Sequence, residues 1–168
     1  MVNGLEAQFE NLWGQTSGQV RAYMFCACRS WADADDLAQD CYLRALRGWN
    51  QFNGTGSRKA WLFGIARRTR ADWFRRGGKK ATVVELAGVD KASDDPKGMD
   101  EDLAEAIWQA VRCLDDKQSE VIHLRFAAGL SYAEIADAAG VPIGTVRSRL
   151  HKGLKNLRQR IGEREYGA

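Results

Sequence analysis

Gly129-Leu130-Ser131-Tyr132-Ala133-Glu134-Ile135-Ala136-Asp137-Ala138-Ala139-Gly140-Val141-Pro142-Ile143-Gly144-Thr145-Val146-Arg147-Ser148-Arg149-Leu150 contains two helices and the turn between them. Ser131, followed three residues later by Glu134, is a capping pair. The hydroxyl accepts from a backbone N–H of the first turn, and the carboxylate reaches back to the cap. Ile135, Ala136 and Ala139 then face inward. Gly140 turns the chain, and Pro142 stands in a first turn, where its missing N–H costs nothing. Beyond it Val146, Leu150, Leu154, Leu157 and Ile161 recur on one face of a longer helix. Its other faces carry Arg147, Ser148, Arg149, His151, Lys152, Lys155 and Arg158.

A capped short helix, a tight glycine turn and a basic second helix describe a helix-turn-helix, whose second helix enters the major groove of DNA. Thr145, Arg147, Ser148, Arg149 and Lys152 fall in the half that meets base edges, where arginine forks onto guanine. Lys155 and the later cations suit phosphates, which add affinity without sequence information. An amphipathic helix with a solvated cationic face is the alternative; the turn chemistry favours DNA.

Upstream of this unit, Leu103, Ile107, Ala110, Val111 and Leu114 form one helical stripe. A helix from Lys117 to Ala128 follows, with Val121, Ile122, Leu124 and Phe126 as its apolar positions and Gly129 as its stop. Asp115 can cap it. Between Ala81 and Met99 the periodicity fades. Val89 to Gly98 reads as an acidic, flexible linker, with room for a short interaction helix around Val83–Leu86 and with mobility expected at about residues 88–99.

The N-terminal block is helical again. Leu5, Phe9, Leu12 and Trp13 make one stripe, continued by Val20, Met24 and Ala27. Asp33 is placed to cap a helix running to about Trp49, with Ala38, Tyr42, Ala45, Leu46 and Trp49 inward. A turn-rich loop follows from Asn50 to Gly56. Ser57 then caps a helix whose buried face is Trp61, Leu62, Ile65, Ala66, Thr69 and Trp73. Strings of β-branched residues are absent, so the fold class is all-α. Two small helical domains are expected, at 1–80 and 100–168, joined by a linker at 81–99.

The net charge of +3 conceals a pattern. Residues 1–80 hold 13 Lys and Arg against 7 Asp and Glu, residues 81–116 hold 3 against 10, and residues 117–168 hold 9 against 5. Two basic blocks thus flank an acidic one, as two polyanion-binding surfaces on either side of a spacer would. In the first block, Arg58, Lys59, Arg67, Arg68, Arg70, Arg75 and Arg76 alternate with Trp61, Phe63, Trp73 and Phe74. Cations beside aromatics suit single-stranded nucleic acid, although Trp61 and Trp73 fall on the core face. Asp33-Ala34-Asp35-Asp36 and Asp40 crowd one helix end more than the helix dipole needs. A basic protein partner accounts for the excess.

Several function classes recede. The N-terminus lacks a basic region followed by an apolar run, so no secretory leader is expected. No stretch approaches the roughly 20 apolar residues that span a bilayer. A soluble, cytoplasmic protein without membrane insertion is expected. Cys26, Cys28, Cys41 and Cys113 have neither zinc-ligand spacing nor a secreted context, so they read as packed thiols, with no metal and no cofactor. No nucleophile–histidine pair or phosphate loop accompanies the carboxylates, so an enzyme is not expected.

Asp35-Asp36-Leu37-Ala38-Gln39-Asp40 with Tyr42-Leu43-Arg44, then Ala60-Trp61-Leu62-Phe63-Gly64-Ile65-Ala66-Arg67, then Asp72 and Arg75-Arg76, resemble region two of extracytoplasmic-function (ECF) sigma factors. Gly129 to Ala136 and Gly144 to Leu150 resemble their region four. The resemblance spans nearly the whole chain in the family's order. It implies that Asp36, Leu37, Gln39, Asp40, Leu43 and Arg44 bind the core of RNA polymerase. It also implies that Asn50, Gln51, Asn53, Arg58, Lys59, Arg67, Arg68, Arg75 and Arg76 serve the melted minus-ten element. Thr145, Arg147, Ser148, Arg149, Lys152 and Lys155 would serve the minus-thirty-five duplex. Partners implied are polymerase core, promoter DNA and an anti-sigma protein, with a monomer when free of them. Two positions depart from the family. Arg68 stands where Asn commonly follows Ile-Ala-Arg, and Asp115 where Pro often follows Leu. A free-standing helix-turn-helix regulator, which would bind operator DNA without polymerase, is the competing reading.

Overall fold

The computed structural model describes residues 4–78 and 101–166, all helix and connecting turns. The expected linker at 81–99, with its interaction helix and its mobility, lies outside the described residues. The elements run α1 (Gly4–Cys28), α2 (Trp31–Gly48), a 3-10 turn (Trp49–Gln51), α3 (Arg58–Arg75), α4 (Glu101–Arg112), α5 (Asp116–Ile122), a π-helical turn (His123–Ala127), α6 (Tyr132–Ala139) and α7 (Ile143–Tyr166).

Helices α1 to α3 pack into one module. Phe9, Val20, Tyr23 and Met24 of α1 meet Ala34, Leu37, Cys41 and Ala45 of α2 and Leu62, Phe63 and Ala66 of α3 in the core. Phe9 stands between Tyr42 and Trp49, each ring 5.4 Å from it. The Trp49 Nε1–H donates to the Leu5 carbonyl at 2.8 Å, fixing the start of α1 to the end of α2.

The cap of α2 differs from the expectation. Ser30, not Asp33, is the N-cap, and its hydroxyl accepts from the Asp33 N–H. Asp33 stands three residues further in, where a carboxylate favours the positive end of the helix. Leu46 also departs from its expected inward place and is exposed, whereas Leu37 is buried. Ser57 caps α3 as expected, accepting from the Ala60 N–H at 3.2 Å. Trp61 and Trp73 are half-buried, and Phe63, absent from the expected face, is fully buried.

In the second module Asp115 caps α5 by accepting from the Lys117 N–H at 3.0 Å. The single expected helix from Lys117 to Ala128 is instead α5 followed by a π-helical turn. The extra residue in that turn rotates the register, so Phe126 leaves the apolar stripe and is 58% exposed. Val111, Val121, Leu124, Leu130, Ile135, Val146 and Leu150 form the core around which α4 to α7 pack.

The thiols follow the packing. Burial pushes Cys26 up to about 11 and Cys41 up to about 12, the latter with help from Asp40. Cys113 is exposed. Thiolate is the reactive form. A maleimide at pH 8 should therefore label exposed Cys113 far faster than Cys26 or Cys41, whose thiols are buried and held protonated. Mass spectrometry of peptides from the native protein reads this out; equal rates at Cys41 and Cys113 would contradict the packing.

Candidate nucleic-acid interface

The helix-turn-helix is built as its sequence demands. Ser131 Oγ accepts from the Glu134 N–H at 3.2 Å, and Glu134 Oε2 accepts from the Ser131 N–H at 2.9 Å, closing the capping box. Gly140 ends α6 with φ +64°, a left-handed conformation that glycine adopts without a Cβ penalty. The Pro142 carbonyl accepts from the Thr145 and Val146 N–H groups to open α7. Val146, Leu150 and Leu157 anchor α7 to the core, while Leu154 of the expected stripe is 39% exposed. Gly153 lets α7 approach α5 closely: a Cβ there would lie 3.0 Å from Ile122 Cδ1. Asn156 adds a hydrogen bond to Gln118 at 3.0 Å.

This docking leaves one long basic face. Arg147, Ser148, Lys152 and Lys155 are exposed, and Thr145 and Arg149 are half-buried. Thr145, Ser148, Arg149 and Lys152 share a shallow cleft with Lys117 and Gln118. All six residues expected at the duplex thus stand on α7, with Lys117 brought to the same cleft from α5.

The basic face of α3 is engaged differently. Arg67 makes a two-pronged pair with Glu120 at 2.8 and 3.1 Å and donates to the Ala138 carbonyl at 3.0 Å. Burial pushes the Arg67 guanidinium down, but Glu120 outweighs that and its pKa stands raised. Lys59 Nζ donates to the Gly129 carbonyl at 3.3 Å, and Ser57 Oγ donates to Glu134 Oε1 at 2.9 Å. For Glu134, burial raises the pKa; the Ser131 N–H, the hydroxyls of Ser57 and Ser131 and nearby Lys59 outweigh it, so the carboxyl stands below its ordinary value. Arg70 meets His123 Nδ1 at 3.2 Å.

Arg58, Arg68, Arg75 and Arg76 face solvent. Arg58 lies over the Trp49 ring at 5.5 Å, and Arg75 pairs with Asp72. Arg68 lines a cleft with Arg44, Gln51, Trp61, Asp72 and Arg75. Gln51 and Asn53 line a second cleft with Phe52, Thr55, Ser57 and Trp61, and Asp137 of α6 closes its far side. Asn50 is exposed beside it.

On α2, Asp36, Gln39 and Leu43 are exposed, while Asp40 and Arg44 are half-buried. Arg44 bridges Asp40 at 3.0 Å and Asp72 at 2.5 Å, tying α2 to α3. Leu37 is only 6% exposed, so its side chain shapes the helix from within rather than meeting a partner. Leu46 and Arg47 extend the exposed face beyond Leu43. The exposure of Leu46 is not legible in the sequence, because Leu46 fits the helical stripe as well as any core residue does.

Residues 12–80 match the family model described as Sigma-70 region 2, and residues 110–159 match Sigma-70, region 4. The ECF RNA polymerase sigma factor SigX of Bacillus subtilis is 30% identical over 94% of this chain and 85% of its own length. The chain belongs to the ECF sigma factors. As a sigma factor it is a promoter-recognising partner of RNA polymerase, all-helical in two modules. The RNA polymerase sigma factor YlaC of Bacillus subtilis is likewise 30% identical, over 90% of this chain and 91% of its own. Among solved structures, the sigma factor RpoE of Bartonella quintana, in complex with the anti-sigma factor NepR, superposes with a TM-score of 0.73 at 26% identity. That match covers 92% of this chain and 97% of RpoE. Among the described residues, no helix is long and apolar enough to cross a membrane.

Proposed function

We propose a division of labour among the named surfaces of this sigma factor. Thr145, Arg147, Ser148, Arg149, Lys152 and Lys155 of α7 read the minus-thirty-five element as duplex. Asn50, Gln51 and Asn53, with Arg58, Lys59, Arg67, Arg68, Arg75 and Arg76 of α3, hold the melted minus-ten strand. Asp36, Gln39, Asp40, Leu43 and Arg44 present the polymerase-facing side of α2, with Leu37 supporting it from below. Residues 1–80, 81–99 and 100–168 are the corresponding units. The protein acts by binding, without catalysis, in the cytoplasm, and is a monomer when free. The solved complex of RpoE with NepR supports an anti-sigma partner for this chain as well.

The observation that carries this reading is the difference between the two basic faces. The first, α7, is a recognition helix open along its length, suited to a groove. The second, α3, combines cations with the Trp49–Phe52–Trp61 aromatic cluster and a loop of small polar residues, suited to unstacked bases. A free-standing regulator needs only the first.

Transcription from a randomised promoter library, with purified core polymerase, tests the reading. Specific transcripts are expected only when core and this protein are both present, and enriched promoters should share an upstream and a downstream block. A specific footprint from the protein without core would favour the free-standing regulator.

A further inference from the structure

One stripe of α3 leads away from the loop cleft toward the end of the helix. Trp61, Ile65, Arg68, Asp72 and Arg75 follow one another at alternating steps of four and three residues, so they share a face. Arg44 and Gly48 of α2 form the opposite wall of a groove of about 460 Å³. Gln51 and Trp61 line both this groove and the cleft of the 50–57 loop. A strand whose base enters the loop cleft is therefore led on along the groove.

The charges there do not cancel. Arg44, Arg68 and Arg75 are set against two carboxylates, Asp40 and Asp72. Arg68 has neither a hydrogen bond nor an ion pair among the described residues. Asp72, by contrast, is shared between two helices. Its Oδ2 accepts from Arg44 Nη1 at 2.5 Å, and its Oδ1 accepts from Arg75 Nη2. Arg44 is held in turn by Asp40 at 3.0 Å. The carboxylate is thus fixed from α2 and only 22% exposed, whereas the Arg75 side chain is 76% exposed. An arginine so exposed, left alone, spreads over many rotamers, and ordering it on binding costs affinity. A guanidinium has five N–H donors, so a bond to Asp72 leaves others for a phosphate.

We propose that Asp72 is a positioning residue for the melted strand: its carboxylate, anchored by Arg44, holds the Arg75 guanidinium at the groove, where Arg75 and Arg68 together take one backbone phosphate. The proposal rests on the assignment of α3 to the melted strand, and the test separates the two. Sign distinguishes positioning from charge. Removing a carboxylate beside a phosphate tightens binding if charge alone counts. Removing the Asp72 carboxylate should weaken it.

Holoenzyme assembled with core polymerase is titrated into a labelled single-stranded DNA carrying the selected downstream block, and polarisation reads the affinity. A set of the same strand, each with one phosphate replaced by a neutral methylphosphonate, locates the phosphate. The variants are Arg68→Ala, Arg75→Ala, Asp72→Asn and Asp72→Asn/Arg75→Ala. Glu163→Gln makes the same change of charge as Asp72→Asn at the exposed far end of α7.

Each arginine variant should bind the unmodified strand about threefold to tenfold more weakly. One linkage should cost the wild type a similar factor when neutralised. Asp72→Asn should bind about threefold or more weakly and lose its sensitivity at that same linkage, while Glu163→Gln behaves as the wild type. In the Arg75→Ala background Asp72→Asn should bring no further loss, because the carboxylate acts through the arginine. A carboxylate that merely tied α2 to α3 would weaken binding in both backgrounds and at no particular linkage. If Asp72→Asn loses helix by circular dichroism, Asp72→Glu, which keeps the charge and moves the carboxylate by one carbon, takes its place; an undiminished contact at the marked linkage then overturns the proposal. Unchanged or tighter binding by Asp72→Asn would overturn the positioning role and leave the arginines on the strand, as would an equal loss in Glu163→Gln or a further loss in the Arg75→Ala background. If neither Arg68→Ala nor Arg75→Ala weakens strand binding, the assignment of this face of α3 is itself overturned.

Discussion

Alanine at Arg147 or Arg149 is expected to weaken use of the upstream promoter element by about 1–3 kcal/mol for whichever side chain forks onto a base. That is roughly fivefold to more than a hundredfold in promoter selection, at 1.4 kcal/mol per tenfold. The two arginines differ in setting. Arg147 is exposed and has the reach to cross a groove, while Arg149 is half-buried and shares its cleft with Thr145, Ser148 and Lys152. Both project from a helix held in place by Val146 and Leu150, so neither substitution removes a core contact. Lys155 lies further along α7 and is exposed, and the proposed docking gives it a backbone phosphate rather than a base. Its alanine variant should weaken all sequences alike and reduce the salt dependence by about one counterion. In vitro transcription on a library randomised only in the upstream block measures all three. If both arginine variants keep the wild-type sequence preference, α7 does not enter the groove as placed here.

What the sequence displays and what it hides follow from the range of each interaction. The helix-turn-helix is legible because its determinants are local. Ser131 and Glu134 close a box three residues wide, and Gly140 supplies the only kind of backbone that turns there cheaply. Ser57 and Asp115 are caps for the same reason. Errors arise where two residues meet one local rule. Ser30 and Asp33 are both cap formers, and only the chain direction after Arg29, which stands at φ +56°, selects Ser30. Leu37 and Leu46 both fit a helical stripe; the site of packing against α1 and α3 buries the first and leaves the second out. Phe126 fails because a π turn inserts a residue, which periodicity alone cannot register. The contacts of α3 with the second module are the least legible. Arg67 with Glu120, and Ser57 with Glu134, are 53 and 77 residues apart, and nothing in either local sequence announces the other.

Exchanging the loop Asn50–Ser57 for that of a sigma factor with a different downstream preference should change the preferred minus-ten base and leave the upstream element alone. The loop begins in a 3-10 turn whose Trp49 is buried, so its first residue is fixed to the module core. Phe52 then stacks on Trp49, ring planes 9° apart and centroids 5.9 Å apart, with the Trp61 ring tilted against it at 5.6 Å. These rings give the cleft an apolar wall on which a base can lie. The polar side is made by exposed amides. Asn53 Oδ1 accepts from the Thr55 N–H at 3.1 Å and the Thr55 hydroxyl at 2.7 Å, which holds the loop in shape and leaves the Asn53 NH₂ to donate. Asn50 and Gln51 carry the same choice of donor and acceptor. Gly56, at φ +81°, brings the backbone in without a side chain in the way. Unstacking a base costs a few kcal/mol, so stacking on Phe52 and hydrogen bonds from these amides must together return that amount. A correct base then gains about 1–3 kcal/mol over a wrong one if one amide pairs with it on two atoms. Trp49 and Trp61 stay in place, so an exchange that also keeps Phe52 should alter the identity of the base rather than the capacity to hold one. Ser57 must remain serine in the exchange, since it caps α3. Transcription from a library randomised in the downstream block reads the outcome. An active exchanged protein that keeps the original downstream base would reduce the loop to a connector between α2 and α3.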